Sequence, residues 1–283
     1  MDTLHLARRN WRSHLRAALA IAKKDWLHFL RYPLNAVFRI VQPIMWLTPV
    51  YFLGKSFADK GSNVGFAAFA GTQDYMSFVL VGAILSNYVS AVFWGMGFSL
   101  KTEMDSGVLE SNWMMPVPRP LFLAGQTIAS LAIATVTSAG LLLLGALFFG
   151  FNATGNLLPA FFVLLPTLLA LYGFGFAFAG IVLLLKDANT LVDVSDFLIS
   201  MLSGSQFPVE VLPRYLLPVA LLIPLTYGYD AVRAYLLGTR TLLPLRYEIA
   251  ILVGFMAVMV ALGYIVFKRV ERHCRALGLI GTH

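Results

Sequence analysis

Six stretches of the chain are apolar for long enough to cross a lipid bilayer as helices, over 34–54, 75–100, 121–150, 157–185, 190–206 and 247–267. A spanning helix needs about 20 predominantly apolar residues. The other spanning architecture, a closed β-barrel, needs many segments of about 10 residues with alternating polarity. These runs are long and continuous, so the pattern predicts an all-α polytopic membrane protein with six transmembrane helices. One locally alternating tract, Gly173 to Gly180, lies inside the fourth run. Wound as a helix, it puts Gly173, Ala177 and Gly180 on one stripe, which suits close approach of a neighbouring helix; contact with a transported molecule is the other use of such a stripe.

Two segments follow a different pattern. In residues 1–33, Trp11, Leu15, Ala18, Leu19, Ala22, Trp26, Phe29 and Leu30 recur at helical spacing, with Arg12, Arg16, Lys23 and Lys24 largely elsewhere. This predicts an amphipathic helix lying in the membrane interface, ended by Pro33. It serves either as a surface anchor or as a support for a partner. It lacks the uninterrupted apolar core of a cleaved signal peptide. The second segment, 207–246, is apolar over 211–237 but broken by Pro213, Pro218 and Pro224, and a span there would bring Arg214, Asp230 and Arg233 into or near lipid. Two short re-entrant helices between the fifth and sixth spans avoid that cost, provided protein covers their irregular backbone. Asp230 and Arg233, three apart, are expected to pair on one helical face.

Composition excludes a soluble domain: of 283 residues, 59% are hydrophobic and 12% charged. The formal net charge of +7 matters through its distribution. Arg8, Arg9, Arg12, Arg16, Lys23, Lys24, Arg31, Lys101, Arg119, Lys186, Lys268, Arg269, Arg272 and Arg275 fall on one side of the six-span layout, against Lys55, Lys60, Arg214, Arg233, Arg240 and Arg246 on the other. The excess of positive residues in cytoplasmic loops places both termini in the cytoplasm and requires an even number of spans. The chain divides into an interface helix over 1–33 and a transmembrane domain over 34–283.

Enzymatic chemistry is scarce. His5, His14, His28, His273 and His283 all lie in terminal segments, and Cys274 is the single cysteine, so neither a metal cluster nor an internal disulfide is expected. Gly54-Lys55-Ser56 lacks the earlier glycine of a phosphate-binding loop, its place being taken by Pro49. Asn152-Ala153-Thr154 matches a glycosylation triplet in a short turn close to the membrane, where a chance match is the better account. Three acids, Asp193, Asp196 and Glu248, fall in apolar runs. They have two readings: stabilisation at helix starts, or an ion route in a secondary transporter or channel. No internal repeat accompanies them.

The polar interruption at 107–119, Gly107-Val108-Leu109-Glu110-Ser111-Asn112-Trp113-Met114-Met115-Pro116-Val117-Pro118-Arg119, resembles the cytoplasmic coupling segment of ABC-2 type exporter permeases. Glu103 precedes Gly-Val-Leu-Glu, and Pro-Val-Pro-Arg closes the match; Val108, Asn112 and Pro118 depart from the usual residues. A second stretch, with Phe207, Pro208, Glu210 and Pro213, then Pro224, Thr226, Asp230 and Arg233, is similar to the same family's outer re-entrant motif. The likeness is nearest to drug and lipid-like exporters such as daunorubicin and nodulation-factor permeases.

That resemblance implies an ATP-driven exporter of an amphipathic, lipid-linked, glycan or drug-like substrate in a prokaryotic plasma membrane. This chain itself binds no cofactor. ATP and Mg belong to two separate ABC ATPase subunits, and a second membrane subunit, forming a homodimer, completes the complex in membrane lipid. No nucleic-acid partner is expected. A coupling helix between spans 2 and 3 docks on the ATPase through Glu103, Gly107, Leu109, Glu110, Trp113, Met114, Pro116 and Arg119; a plain cytoplasmic turn with an exposed tryptophan is the alternative. By analogy the first, second and fifth helices line the route, with Tyr75, Phe78, Tyr88, Phe93 and Trp94 on it, although such aromatics also serve packing.

Overall fold

The computed structural model of the protein describes residues 11–56, 64–98, 103, 105–107, 119–151, 155–185 and 189–276. Among these residues every regular element is a helix. In order they are α1 (Trp11–Arg31), α2 (Pro33–Ser56), α3 (Val64–Ala70), α4 (Tyr75–Val92), a π-helical segment (Phe93–Phe98), α5 (Arg119–Phe149), α6 (Leu157–Leu185), α7 (Asn189–Leu202), a 3-10 turn (Val209–Val211), α8 (Leu217–Leu221), α9 (Pro224–Leu237) and α10 (Leu245–Ala276). Pro33 divides the first two helices as expected, standing at the first position of α2, where its missing N–H costs nothing.

Among the described residues, five stretches are long and apolar enough to cross a membrane: Pro33–Ser56, Tyr75–Met96, Leu121–Phe149, Leu157–Val182 and Leu245–His273. The expected span over 190–206 is shorter in the structure. Helix α7 has 14 residues, about 21 Å at 1.5 Å per residue, against a hydrocarbon core of about 30 Å. It stops because Gly204 adopts a left-handed conformation at φ 77°. The Gly204 amide then donates to the Met201 carbonyl at 3.1 Å and the Ser205 amide to the Ser200 carbonyl at 3.2 Å, the paired bonds that close a helix at such a glycine.

Lipid is as apolar as a leucine side chain, so helices in a bilayer associate through close packing and interhelical hydrogen bonds. Both occur here. The most extensive helix contact joins α6 to α10, and it is built on glycine. A Cβ on Gly263 would overlap the Gly173 carbonyl, and one on Gly173 would overlap the backbone of Met259. Gly180 lies against Phe267 and Val270 of the same helix, while Gly175 faces Val92 and Met96. The alternating tract is therefore a packing device that serves two neighbours.

Around α4 the glue is polar. The Asn87 amide donates to the Ala134 carbonyl at 3.1 Å, to Thr137 Oγ1 at 2.7 Å and to Ser138 Oγ at 2.9 Å. Tyr88 donates to Thr135 Oγ1 at 3.1 Å, and Ser86 Oγ meets the Tyr229 hydroxyl at 2.8 Å. Such bonds contribute on average about 0.6 kcal/mol each within a membrane, so their number matters more than any one of them. Helix α2, by contrast, leaves Val37, Phe38, Met45, Trp46, Phe52 and Leu53 exposed and buries Leu47.

The loops collect at two opposite ends. At one end the turn before α6 pairs with the end of α9, Gly155 and Asn156 amides donating to the Leu236 and Tyr235 carbonyls at 3.0 and 2.9 Å; the Arg240 amide reaches the Ala70 carbonyl at 3.0 Å. At the other end α1 crosses the start of α5, with Ala18 and Ala22 buried and the Ala18 carbonyl against Gly125. Replacing Gly263 with leucine is expected to lower the thermal unfolding temperature of the detergent-solubilised protein by the cost of overpacking, about 1–3 kcal/mol. Gly254→Ala, where nothing lies within 4 Å of the added Cβ, serves as the neutral control in the same melt.

Candidate functional site

The segment between α7 and α10 wraps around one buried side chain. Arg233, on the third turn of α9, is 2% exposed. Its Nε donates to the Phe78 carbonyl at 3.1 Å, Nη1 to the Gly204 carbonyl at 2.7 Å and Nη2 to the Ser205 carbonyl at 2.5 Å. The guanidinium lies flat against Phe78, 3.6 Å from its ring centroid, with Tyr229 at 5.5 Å. A planar fork of donors suits this task, since it spans carbonyls from two elements while stacking on an aromatic face. The carbonyls of Gly204 and Ser205 follow the C-terminus of α7, where the helix dipole also favours a cation.

The expected Asp230–Arg233 ion pair is absent. The ion pair found among the described residues is Lys24–Asp25, at 3.4 Å. Arg233 turns to carbonyls brought from elsewhere in the chain, whereas Asp230 faces the next loop. Asp230 Oδ2 accepts from the Leu242 amide at 2.8 Å and Glu248 Oε1 from the Leu243 amide at 2.9 Å. Two consecutive amides thus hold two carboxyls.

The remaining residues of the outer motif shape this framework. Pro224 opens α9, Thr226 Oγ1 donates to the Ala220 carbonyl at 2.6 Å, and the Pro213 carbonyl accepts from the Leu216 amide at 2.8 Å. Phe207 packs with Val209, Leu212 and Ala220, while Pro208 caps the 3-10 turn. Pro208, Glu210, Thr226, Asp230 and Arg233 line a narrow cleft with Phe69. Its interior, about 20 Å³, admits a water or two and not a drug-sized molecule. Gly82 completes the site from α4: a Cβ there would collide with the Ser205 carbonyl and Arg233 Nη2.

At the opposite end, Glu103 accepts from Gln126 Nε2 at 3.0 Å and its carbonyl from Ser106 Oγ at 3.3 Å. Gly107 is left-handed at φ 66°, with open space around its Cα. Leu109, Glu110, Trp113, Met114 and Pro116 lie outside the described residues, and Arg119 begins α5. Of the aromatics singled out on the second span, Phe78, Tyr88 and Phe93 are buried within the chain. Tyr75 packs on Phe66 at 5.0 Å between centroids, and Trp94 is 37% exposed.

The profile of ABC-2 type transporters matches residues 16–237, most of the chain and nearly all of both regions just described. The chain belongs to the ABC-2 type transporter family. It is also 22% identical, over 266 residues covering 91% of this chain and 88% of the relative, to the daunorubicin resistance ABC transporter permease protein DrrB1 of Streptomyces coeruleorubidus. Membership makes the chain the multi-pass membrane component of an ABC transporter, with ATP hydrolysis in a separate ABC subunit.

In this ABC-2 permease, motif reading found Arg233 but not what holds it. Phe78, Gly82, Gly204 and Ser205 are distant in sequence from α9, and backbone carbonyls leave no mark in side-chain patterns. The positive-φ glycine was the available signal. Glu248 stands in the first turn of α10 as expected, but its partnership with Asp230 was not. Arg233→Ala strips the buried Gly204 and Ser205 carbonyls of the donor they share at a cost of about 1–3 kcal/mol each, and is expected to destabilise the permease more than Asp230→Asn, which retains an acceptor for the Leu242 amide. Thermal melts of the purified variants check the order.

Proposed function

We propose that the chain is the membrane subunit of an ATP-driven exporter that moves an amphipathic, drug-like or lipid-linked substrate outward, as a homodimer carrying two ABC ATPases. The observation that carries this reading is the join at the basic end of the bundle. There α1 rests on α5 where Ala18 meets Gly125, and the next residue, Gln126, takes the Glu103 carboxylate. A push delivered to 103–119 therefore reaches α1 and α5 together. In this reading Glu103, Gly107, Leu109, Glu110, Trp113, Met114, Pro116 and Arg119 form the coupling segment, residues 1–33 the interface helix and 34–283 the transmembrane domain.

The proposed topology has six crossings, α2, α4, α5, α6, α7 and α10, in a prokaryotic plasma membrane with both termini cytoplasmic. The shortness of α7 supports re-entrant helices on the outer side. A helix of about 21 Å that starts at the inner surface ends within the outer leaflet, so α8, α9 and the Arg233 clamp sit below the outer surface. There every polar group needs a partner inside the protein, and the clamp supplies carbonyls to a cation that lipid would not tolerate. The route runs along α2, α4 and α7, with Trp94 the most open of the five aromatics proposed for it. DrrB1 is named for daunorubicin resistance, which favours a drug-like cargo. Ion coupling through Asp193, Asp196 and Glu248 gains no comparable support, since Glu248 engages Asp230 rather than the other two.

Glu110→Ala combined with Trp113→Ala is expected to reduce co-purification of the ATPase subunit about tenfold or more, the scale of losing a pair of central interface contacts; unchanged complex formation and transport together would remove the docking role. For the topology, single cysteines replacing Tyr215 and Tyr235, in a chain with Cys274→Ser, are expected to share one sidedness toward an impermeant thiol reagent. Labelling of one from each side would establish a seventh span.

A further inference from the structure

Asp196 lies where the helix-start account of it fails. It is the eighth residue of α7, about one turn beyond the first turn, where a helix terminus stabilises an acid. It is half-buried in a stretch proposed to lie in the membrane, and a carboxylate there needs a specific partner. No cation lies within 4.0 Å of it among the described residues, where the ion pair is Lys24–Asp25. Its partners are neutral donors. Ser90 Oγ on α4 donates to Asp196 Oδ2 at 2.7 Å, Ser200 Oγ lies 3.5 Å from Oδ1, and the Trp94 indole of the π-helical segment lies close by.

The remainder of α7 is lightly held. Its main contacts are with α4 and the π-helical segment, while Val194, Phe197, Leu198 and Met201 are exposed. Its far end is fixed by the bonds of Arg233 to Gly204 and Ser205. Near the same end Ser200 lies by the Tyr229 hydroxyl, which Ser86 Oγ on α4 meets at 2.8 Å. A helix anchored near one end, with one carboxylate held by α4 further along it, swings when that carboxylate is released. The element it grips is itself irregular: π-helical turns carry one extra residue per hydrogen bond and are frequent at functional sites.

We propose that Asp196 is a positioning residue of the transport cycle, a latch that fastens α7 to Ser90 and Trp94 in the resting state and opens when the ATPases close. The inference rests on the exporter reading above and adds to it the moving helix and the bond that holds it. Asp196 touches no substrate in this account; it acts through the position of α7.

The test uses the full chain assembled with its ATPase subunit. In a Cys274→Ser background, Ser90→Cys with Asp196→Cys should form a disulfide readily without nucleotide, and at least about fivefold less after trapping with ATP and vanadate, the lower end of ordinary coupling between sites. Because that pair removes the latch, a second measurement keeps it. The tryptophan emission of the Cys274→Ser complex minus that of its Trp94→Phe variant isolates Trp94, and should change on vanadate trapping but not when Asp196→Leu is present. Asp196→Asn, which keeps an oxygen for both donors, should retain the change. An assembled, ATP-hydrolysing complex whose Trp94 signal is the same in both states overturns the latch alone. A chain that assembles with no ABC ATPase overturns the exporter reading and the latch with it.

Discussion

A guanidinium that bonds backbone carbonyls instead of a carboxylate organises the outer half of this molecule. Arg233 is satisfied by three backbone carbonyls and an aromatic face. Each carbonyl belongs to a part of the chain that would otherwise have no reason to meet: the start of α4 and the turn that ends α7. The turn needs the left-handed Gly204 to present its carbonyls, and α4 needs Gly82 to let them approach. Once that clamp is closed, α9 is fixed, its C-terminus receives the turn before α6, and the following loop meets α3. The cation is thus less a charge than a three-armed connector for backbone that cannot find water.

Two kinds of seam follow from the bilayer as solvent. Where α6 meets α10 the helices touch backbone to backbone, and dispersion forces between close surfaces suffice. Around α4 the contacts are less extensive, and hydroxyls and amides make up the difference. Asn87 alone satisfies acceptors on Ala134, Thr137 and Ser138. These hydrogen bonds are directional, so they define register where packing alone would allow sliding.

Legibility in the sequence tracked the range of the forces involved. Five of the six apolar runs fall on helices long and apolar enough to span, because burial in lipid is a property of composition over a window. Pro33, Pro218 and Pro224 were read as punctuation, and each does stand at a helix start. The length of α7 was overestimated because hydropathy continues through Ser203 and Gly204, while backbone conformation decides where the helix closes. Arg233 was paired with Asp230 because nearness along a helix is the only nearness a sequence shows. Its actual partners are separated from it by 155, 29 and 28 positions.

The contact of Gly173 with Gly263 has a mechanical corollary. Two helices whose backbones interlock cannot slip along one another without first separating, and separation would open a gap too narrow for an acyl chain to fill. The α6–α10 pair is a stator. Any rearrangement of the permease must then be accommodated by the helices with the least backing, α2 and α7, which turn against a frame that stays still.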